Sequence, residues 1–294
     1  MSTAPASHAY AASDTMPKSL FGYEVLDFIG EGAGSLIYVV SEEQSNQIYA
    51  LKHVIRHTDR DARFIEQLQN EYEIGRQIDH LHLRRAIALK EQRTLLRKVT
   101  EAGLLLEMFD GLPLDMQDRK DNATLVDIFI QTAQGLEALH AAGFVHCDLK
   151  PNNILVDARN QVKVIDLGQA CKVGTCKERI QGTPDYIAPE QVKREPVTVR
   201  TDVFNFGATM YWALCGRKLP TLFTLRKTEN SFLVDDQMAA PHTINPATPE
   251  NLSNLVMECV RTNPNKRPHD MKELTSRLEI MYHRLSRQRR PGAA

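Results

Sequence analysis

The chain has 294 residues, 42% of them hydrophobic and 25% charged, with a formal net charge of −1: enough material for one large or two-lobed domain, and no basic field to favour nucleic acid. No apolar run approaches the ~18–20 residues of a membrane helix, and Met1 to Leu20 lacks the basic start and apolar stretch of a secretory signal. Five scattered cysteines suit free thiols in a reducing compartment, so the expectation is a cytoplasmic protein with no membrane and no nucleic-acid partner.

Residues 1–20, rich in Ala, Ser, Thr and Pro, read as a disordered tail. Tyr23 to Gly30 and Ser35 to Ser41 predict two strands around a glycine turn, and Ile48 to Val54 a third. Phe64, Ile65, Leu68, Ile74 and Ile78 fall at helical spacing and predict a helix over 62–79. Arg85 to Phe109 is strand-like again and ends in Leu104-Leu105-Leu106. After Gly111 the pattern turns helical: Leu125, Ile128, Phe129, Thr132, Leu136 and Leu139 mark a helix that Gly143 stops. Two short strands, Ile154 to Val156 and Val162 to Ile165, are followed by helices over 202–215 and 251–261. The long polar stretch from Leu222 to Ala247 is a candidate docking surface. The last helix starts at Asp270, with Glu273 at capping-box spacing and Met271, Leu274, Leu278 and Met281 as its apolar stripe. Arg284 to Ala294 reads as a basic, frayed tail, for an acidic partner or for solvent. A strand-rich start and a helix-rich remainder predict an α+β architecture in two lobes.

The chemistry concentrates in a few stretches. Gly30-Glu31-Gly32-Ala33-Gly34-Ser35 lies between two strands, where glycines let backbone N–H groups approach phosphates; a flexible hairpin turn would look the same. It is neither a Walker loop, because no Gly-Lys-Ser/Thr follows, nor a dinucleotide fingerprint, because a strand comes next. Lys52, in Ala50-Leu51-Lys52, is placed to bind phosphate or to snorkel to solvent, and Glu71 on the following helix can pair with it. The run His146-Cys147-Asp148-Leu149-Lys150-Pro151-Asn152-Asn153, with Asp166-Leu167-Gly168 after it, carries the groups phosphoryl transfer needs. Asn153 and Asp166 offer hard oxygens for a metal, Asp148 can orient a hydroxyl and take its proton, and Lys150 can stabilise charge on the transferring group.

With these motifs in order, residues 21–283 resemble the eukaryotic-like (Hanks-type) serine/threonine protein kinases, a class with bacterial members. The likeness continues through Gly182-Thr183-Pro184-Asp185-Tyr186-Ile187-Ala188-Pro189-Glu190, Asp202, Gly207 and Arg267. It implies a two-lobed protein-kinase fold, N-lobe 21–109 and C-lobe 110–283, flanked by tails 1–20 and 284–294. It also implies ATP, Mg2+ (or Mn2+) and a protein substrate bearing Ser or Thr, without naming that substrate or any regulatory partner. In this template Lys52 binds the α- and β-phosphates and pairs with Glu71, and Leu106 is the gatekeeper. Glu107 and Phe109 offer backbone hydrogen bonds to adenine, and Ile37, Ala50 and Leu155 flank its ring. Glu190 pairs with Arg267, and Asp202 braces the catalytic loop.

Some positions depart from the family. Gly34 and Ser35 replace an aromatic and a glycine, so the loop tip is softer and the serine crowds the phosphates. Leu167 replaces a phenylalanine. Gly75 stands where a large apolar side chain is usual, and is expected to loosen the helix that carries Glu71. Cys147 replaces an arginine that in many relatives pairs with a phosphate on the activation segment, leaving Thr175 as the one plausible switch. Two alternatives follow: a pseudokinase or scaffold of the same fold, and a small-molecule kinase of the aminoglycoside or choline type, which lacks the Thr183 to Glu190 segment. Cys171 and Cys176 are two free thiols or a redox pair.

Overall fold

The computed structural model describes residues 16–32, 34–224 and 238–288. Ala33, most of the N-terminal tail, the central part of the candidate docking stretch and the end of the basic tail, with Arg289 and Arg290, lie outside the described residues.

The first lobe is built on β1 Ser19–Leu20, β2 Tyr23–Gly32, β3 Ser35–Ser41, β4 Ile48–Ile55, β5 Ala86–Arg93 and β6 Val99–Glu107. They form one sheet in the order β1-β2-β3-β4-β6-β5, with all neighbours antiparallel. Strand alternation sorts the apolar side chains into two sets. Val25, Tyr38, Val40, Leu51 and Leu105 pack on one face. Ala50, Val54, Ala102, Leu104 and Leu106 pack on the other, against Ile65 and Leu68 of helix α1, Ala62–Gly75. This helix stops short of the predicted 79. Ile78 is buried as its spacing suggests, but in the turn toward β5, where it joins the core of the second lobe.

The second lobe contains β7 Gly111–Pro113, α2 Asn122–Ala141, β8 Phe144–Val145, β9 Ile154–Asp157, β10 Val162–Val164 and β11 Cys171–Lys172. They are followed by α3 Pro189–Lys193, α4 Val199–Cys215, α5 Pro241–Ile244, α6 Glu250–Cys259 and α7 Met271–Gln288. Asp121 caps α2 by accepting from the amides of Ala123 and Thr124. Gly143, with φ of 85°, turns the chain in the left-handed region just after the helix. Ile128, Phe129, Leu136 and Leu139 of α2 are fully buried, and Phe129 meets Phe206 of α4 edge-on at 5.3 Å. At the start of α7, Asp270 accepts from the Glu273 amide at 2.9 Å while the Glu273 carboxylate accepts from the His269 amide at 2.8 Å. The helix continues past Arg284, where the sequence suggests a frayed tail, because Tyr282 and Leu285 extend its apolar stripe onto the core.

Candidate active site

Alternation along β4 puts Ala50 and Lys52 on one face. Cross-strand partners add Ile37 beside Lys52 on β3, and Leu104 and Leu106 beside Lys52 and Ala50 on β6. Lys52 Nζ lies 2.7 Å from Glu71 Oε2 on α1 and 2.9 Å from Asp166 Oδ1, which comes from the second lobe. Burial opposes the charge on Lys52, but Asp166 and Glu71 together hold its pKa well above that of an ordinary lysine. Burial also opposes ionisation of Asp166, and Lys52 overrides it, so its carboxyl titrates at about 2. Glu71 is pushed the other way, mainly by its burial.

Asp166 takes a left-handed conformation, φ 66°, at the entry to a short turn over Leu167–Gln169. Asn70, next to Glu71 on α1, fixes that turn. Its Nδ2 donates to Ala170 O at 2.8 Å and to Leu167 O and Gly168 O at 3.2 Å each. Gly75 lies against β5, where an added Cβ would stand 3.0 Å from Ala86 Cβ, so the missing side chain lets α1 approach the sheet.

The second group sits on the loop between β8 and β9. Asp202, fully buried on α4, accepts from the amides of His146 at 2.7 Å and Cys147 at 2.8 Å, and contacts His140 Nε2 at 2.7 Å. Burial would raise its pKa, but His140 and the loop contacts hold it below the ordinary carboxylate range. Next along the loop, Asp148 Oδ1 accepts from the Thr183 hydroxyl at 2.8 Å and Oδ2 accepts from Lys150 Nζ at 3.1 Å. Lys150 also donates to Thr183 Oγ1 at 3.0 Å. Asn153 Nδ2 donates to Asp148 O at 2.8 Å, which leaves its amide oxygen as the other branch. The two groups are joined by the backbone: Ile165 N donates to Asn153 O at 3.0 Å, and His146 Nε2 meets Ile165 O at 3.1 Å.

Asn153 and Asp166 are hard-oxygen groups of the kind a divalent ion takes. Among the described residues no cluster of three or more His, Cys, Asp or Glu could cage a metal. Magnesium needs no such cage: it keeps several waters and takes one or two protein oxygens together with substrate phosphates.

The remaining predicted residues surround this centre. Gly30 and Gly34 have φ of 155° and 79°, and Phe64 of α1 fills the space beside Gly34, where a Cβ would come within 2.5 Å of its ring. Ser35 is buried, with its hydroxyl beside Gly32. Glu31 is exposed on β2. Leu106, Ala50 and Leu155 are buried, the last on β9 of the second lobe, and Ile37 and Phe109 are half-buried. Glu107 O accepts from Arg84 Nε at 3.0 Å and Phe109 O accepts from Gly111 N at 3.0 Å. The Glu107 carboxylate pairs with Lys163 at 2.8 Å.

Arg84 escaped the sequence reading. Burial lowers its pKa, and the nearby carboxylates of Glu71 and Glu107 counteract that. A charged residue within the run Leu83-Arg84-Arg85-Ala86-Ile87 was the available signal. Farther out, Glu190 and Arg267 form a buried two-pronged pair at 2.7 and 2.9 Å, and Thr201 Oγ1 adds a third contact to Glu190 at 2.9 Å.

The sequence profile of the protein kinase domain matches residues 23–278. A probable serine/threonine-protein kinase of Clostridium perfringens is 27% identical over 276 residues, which is 87% of this chain and 38% of that protein. The serine/threonine-protein kinase PksC of Streptomyces coelicolor is 27% identical over 259 residues, 83% of this chain and 46% of the relative. Mouse serine/threonine-protein kinase 16 is 28% identical over 284 residues, 88% and 90% of the two chains. The chain therefore spans less than half the length of these two bacterial relatives. No described helix is long and apolar enough to cross a membrane.

Proposed function

The chain belongs to the protein kinase family and has its two-lobed fold, and from that premise we propose that it transfers the γ-phosphate of ATP to serine and threonine hydroxyls of proteins. The observation that carries this reading is the single connected set in which Lys52 bridges Glu71 and Asp166 across the lobes while Asp148 is held between Lys150 and Thr183. Lys52 is a fixed cation for the α- and β-phosphates, kept in place by Glu71. Asn153 and Asp166 would hold Mg2+, or Mn2+ in its place, which when bound neutralises the triphosphate. Asp148 accepts the proton of the attacking hydroxyl, and Lys150 faces the charge that develops on the transferred group. Such catalysis is mostly placement and electrostatics, so a complete set of groups argues for an active enzyme rather than a scaffold.

The same loop supports the choice of hydroxyl. Lys150 and Thr183 lie against Asp148 and favour a short alcohol held close to it, where a phenol would reach too far. The segment from Thr183 to Glu190 would form the platform for a peptide rather than a small-molecule acceptor. A cytoplasmic location and input through a regulatory partner belong to the same proposal. Phosphoamino-acid analysis of a labelled protein substrate tests the specificity: phosphoserine and phosphothreonine are expected, and mainly phosphotyrosine would overturn it.

A further inference from the structure

Two cysteines meet beside the catalytic loop. Cys147 immediately precedes Asp148, and Cys171 lies on β11, just after the turn that Asp166 begins. The strands β8 and β11 pair antiparallel, with Cys171 opposite Val145, and this brings the Cys147 and Cys171 sulfurs to 3.8 Å. Val145, Val197 and Val199 pack around them. Cys147 is fully buried, whereas Cys171 is half-buried and lines a groove between α1 and the activation segment. Cys176 is exposed on the same groove, and no contact of its sulfur with Cys171 accompanies that placement. The sequence left Cys171 and Cys176 as two free thiols or a redox pair; the fold brings Cys171 to Cys147.

We propose that Cys147 and Cys171 are a redox-active dithiol, oxidised by hydroperoxides to a disulfide that fastens the activation segment to the catalytic loop. The Cys171 sulfur, reached from the groove, attacks one peroxide oxygen. The O–O bond breaks, hydroxide or alkoxide leaves, and the sulfur becomes a sulfenic acid, two electrons having passed to the peroxide. Cys147 then displaces hydroxide from that sulfur. The S–S bond forms, the S–O bond breaks, and the thiol proton leaves with the hydroxide as water. The sum is two thiols and a hydroperoxide giving a disulfide, water, and water or an alcohol. A small dithiol reverses it by exchange.

The division of roles follows the surroundings of each sulfur. The groups acting on Cys171 are the thiol of Cys147, Lys177 and the Thr175 hydroxyl on its own segment, and Asp202 from α4, which opposes them. The contact between the two sulfurs, with Lys177 near, brings the Cys171 thiol to about 7 despite its burial, while the same contact and burial push Cys147 well up. Thiolate is the reactive form. The disulfide joins the two segments that many relatives join by a phosphate–arginine pair, at a position where this chain has no arginine. The inference concerns the thiols alone and does not depend on the proposed phosphotransfer.

The test uses the full chain with all five cysteines. Treat it with one equivalent of hydrogen peroxide, quench in acid, block free thiols, and digest with trypsin without reduction. Cleavage after Lys172 separates Cys171 from Cys176, so the partner can be read directly. The expected product is a linked pair of the Cys147 and Cys171 peptides, two hydrogens lighter than their sum, abolished by dithiothreitol. It should persist in Cys176→Ser and vanish in Cys171→Ser. A Cys171–Cys176 link, a Cys171 sulfinic acid with Cys147 still free, or no oxidation of either thiol would overturn the proposal.

Discussion

At the scale of single residues, the groups proposed for catalysis stood out in the sequence because each offers chemistry that few side chains can do. Hard oxygens at Asp166 and Asn153, a carboxylate at Asp148 and a cation at Lys52 were candidates by residue type, and the resemblance assigned their roles. Arg84 and Asn70 were not legible, since what they bind are backbone carbonyls at Glu107 and at Leu167, Gly168 and Ala170, which only the fold brings near. Asp202 lies between these cases: its bracing role followed from the resemblance, and its three contacts give that role a measurable sign. Its folded pKa is depressed. The stability it contributes is therefore fully present above the unfolded value, near 3.9, and is lost as the pH falls through the lower folded value. Asp202→Asn should cost on the order of 3 kcal/mol at pH 7, because an uncompensated buried network is left behind. The difference in melting temperature between wild type and variant should narrow as the pH drops below about 4. A gap independent of pH would show that the carboxylate's charge contributes nothing.

At the scale of elements, alternation and helical spacing located the long strands and helices, and their ends were set by contacts that the pattern does not contain. The apolar period of α1 runs on to Ile78, but the helix ends at Gly75 because the chain turns there to bury Ile78 in the other lobe. Gly75 lets α1 sit close to β5. An added Cβ would meet Ala86 Cβ at 3.0 Å, so Gly75→Leu overpacks the contact and should destabilise the protein by about 1–3 kcal/mol. It should also lower kcat by moving Glu71 away from Lys52. A variant with unchanged melting temperature and kcat would mean that α1 tolerates the larger side chain.

The two-residue pairing of β8 with β11 was too short for any periodicity to reveal, yet it holds the activation segment. Val173 N donates to Gly143 O at 3.0 Å, Gly174 N to Val197 O at 2.7 Å and Val197 N to Thr175 O at 3.0 Å. The segment is thus fastened by its own backbone, and Cys147 supplies no cation for a phosphate. Phosphatase-treated enzyme and Thr175→Ala should both keep most of the phosphotransfer rate. A loss of tenfold or more in both, restored by phosphorylating the treated wild type, would show that another basic group does the arginine's work.

At the scale of the whole molecule, the proposed site depends on the salt bridge by which Lys52 of one lobe reaches Asp166 of the other. Lys52 and Glu71 come from the strand-rich lobe and Asp166 from the helical one, and this junction brings the phosphate-handling groups of both lobes together. The lobes were foreseen from the shift in pattern after Gly111, because strands and helices leave different periods. The junction was not foreseen: the resemblance pairs Lys52 with Glu71, and nothing local in the sequence ties Lys52 to Asp166. The most direct test is the incorporation of γ-phosphate from ATP into a generic protein substrate with magnesium, compared among wild type, Lys52→Met and Asp166→Ala. The account predicts magnesium-dependent labelling of protein by the wild type, and a fall of at least ~100-fold in each variant because electrostatic placement supplies most of the rate. Equal rates in wild type and variants, or no transfer to protein by the wild type, would contradict it.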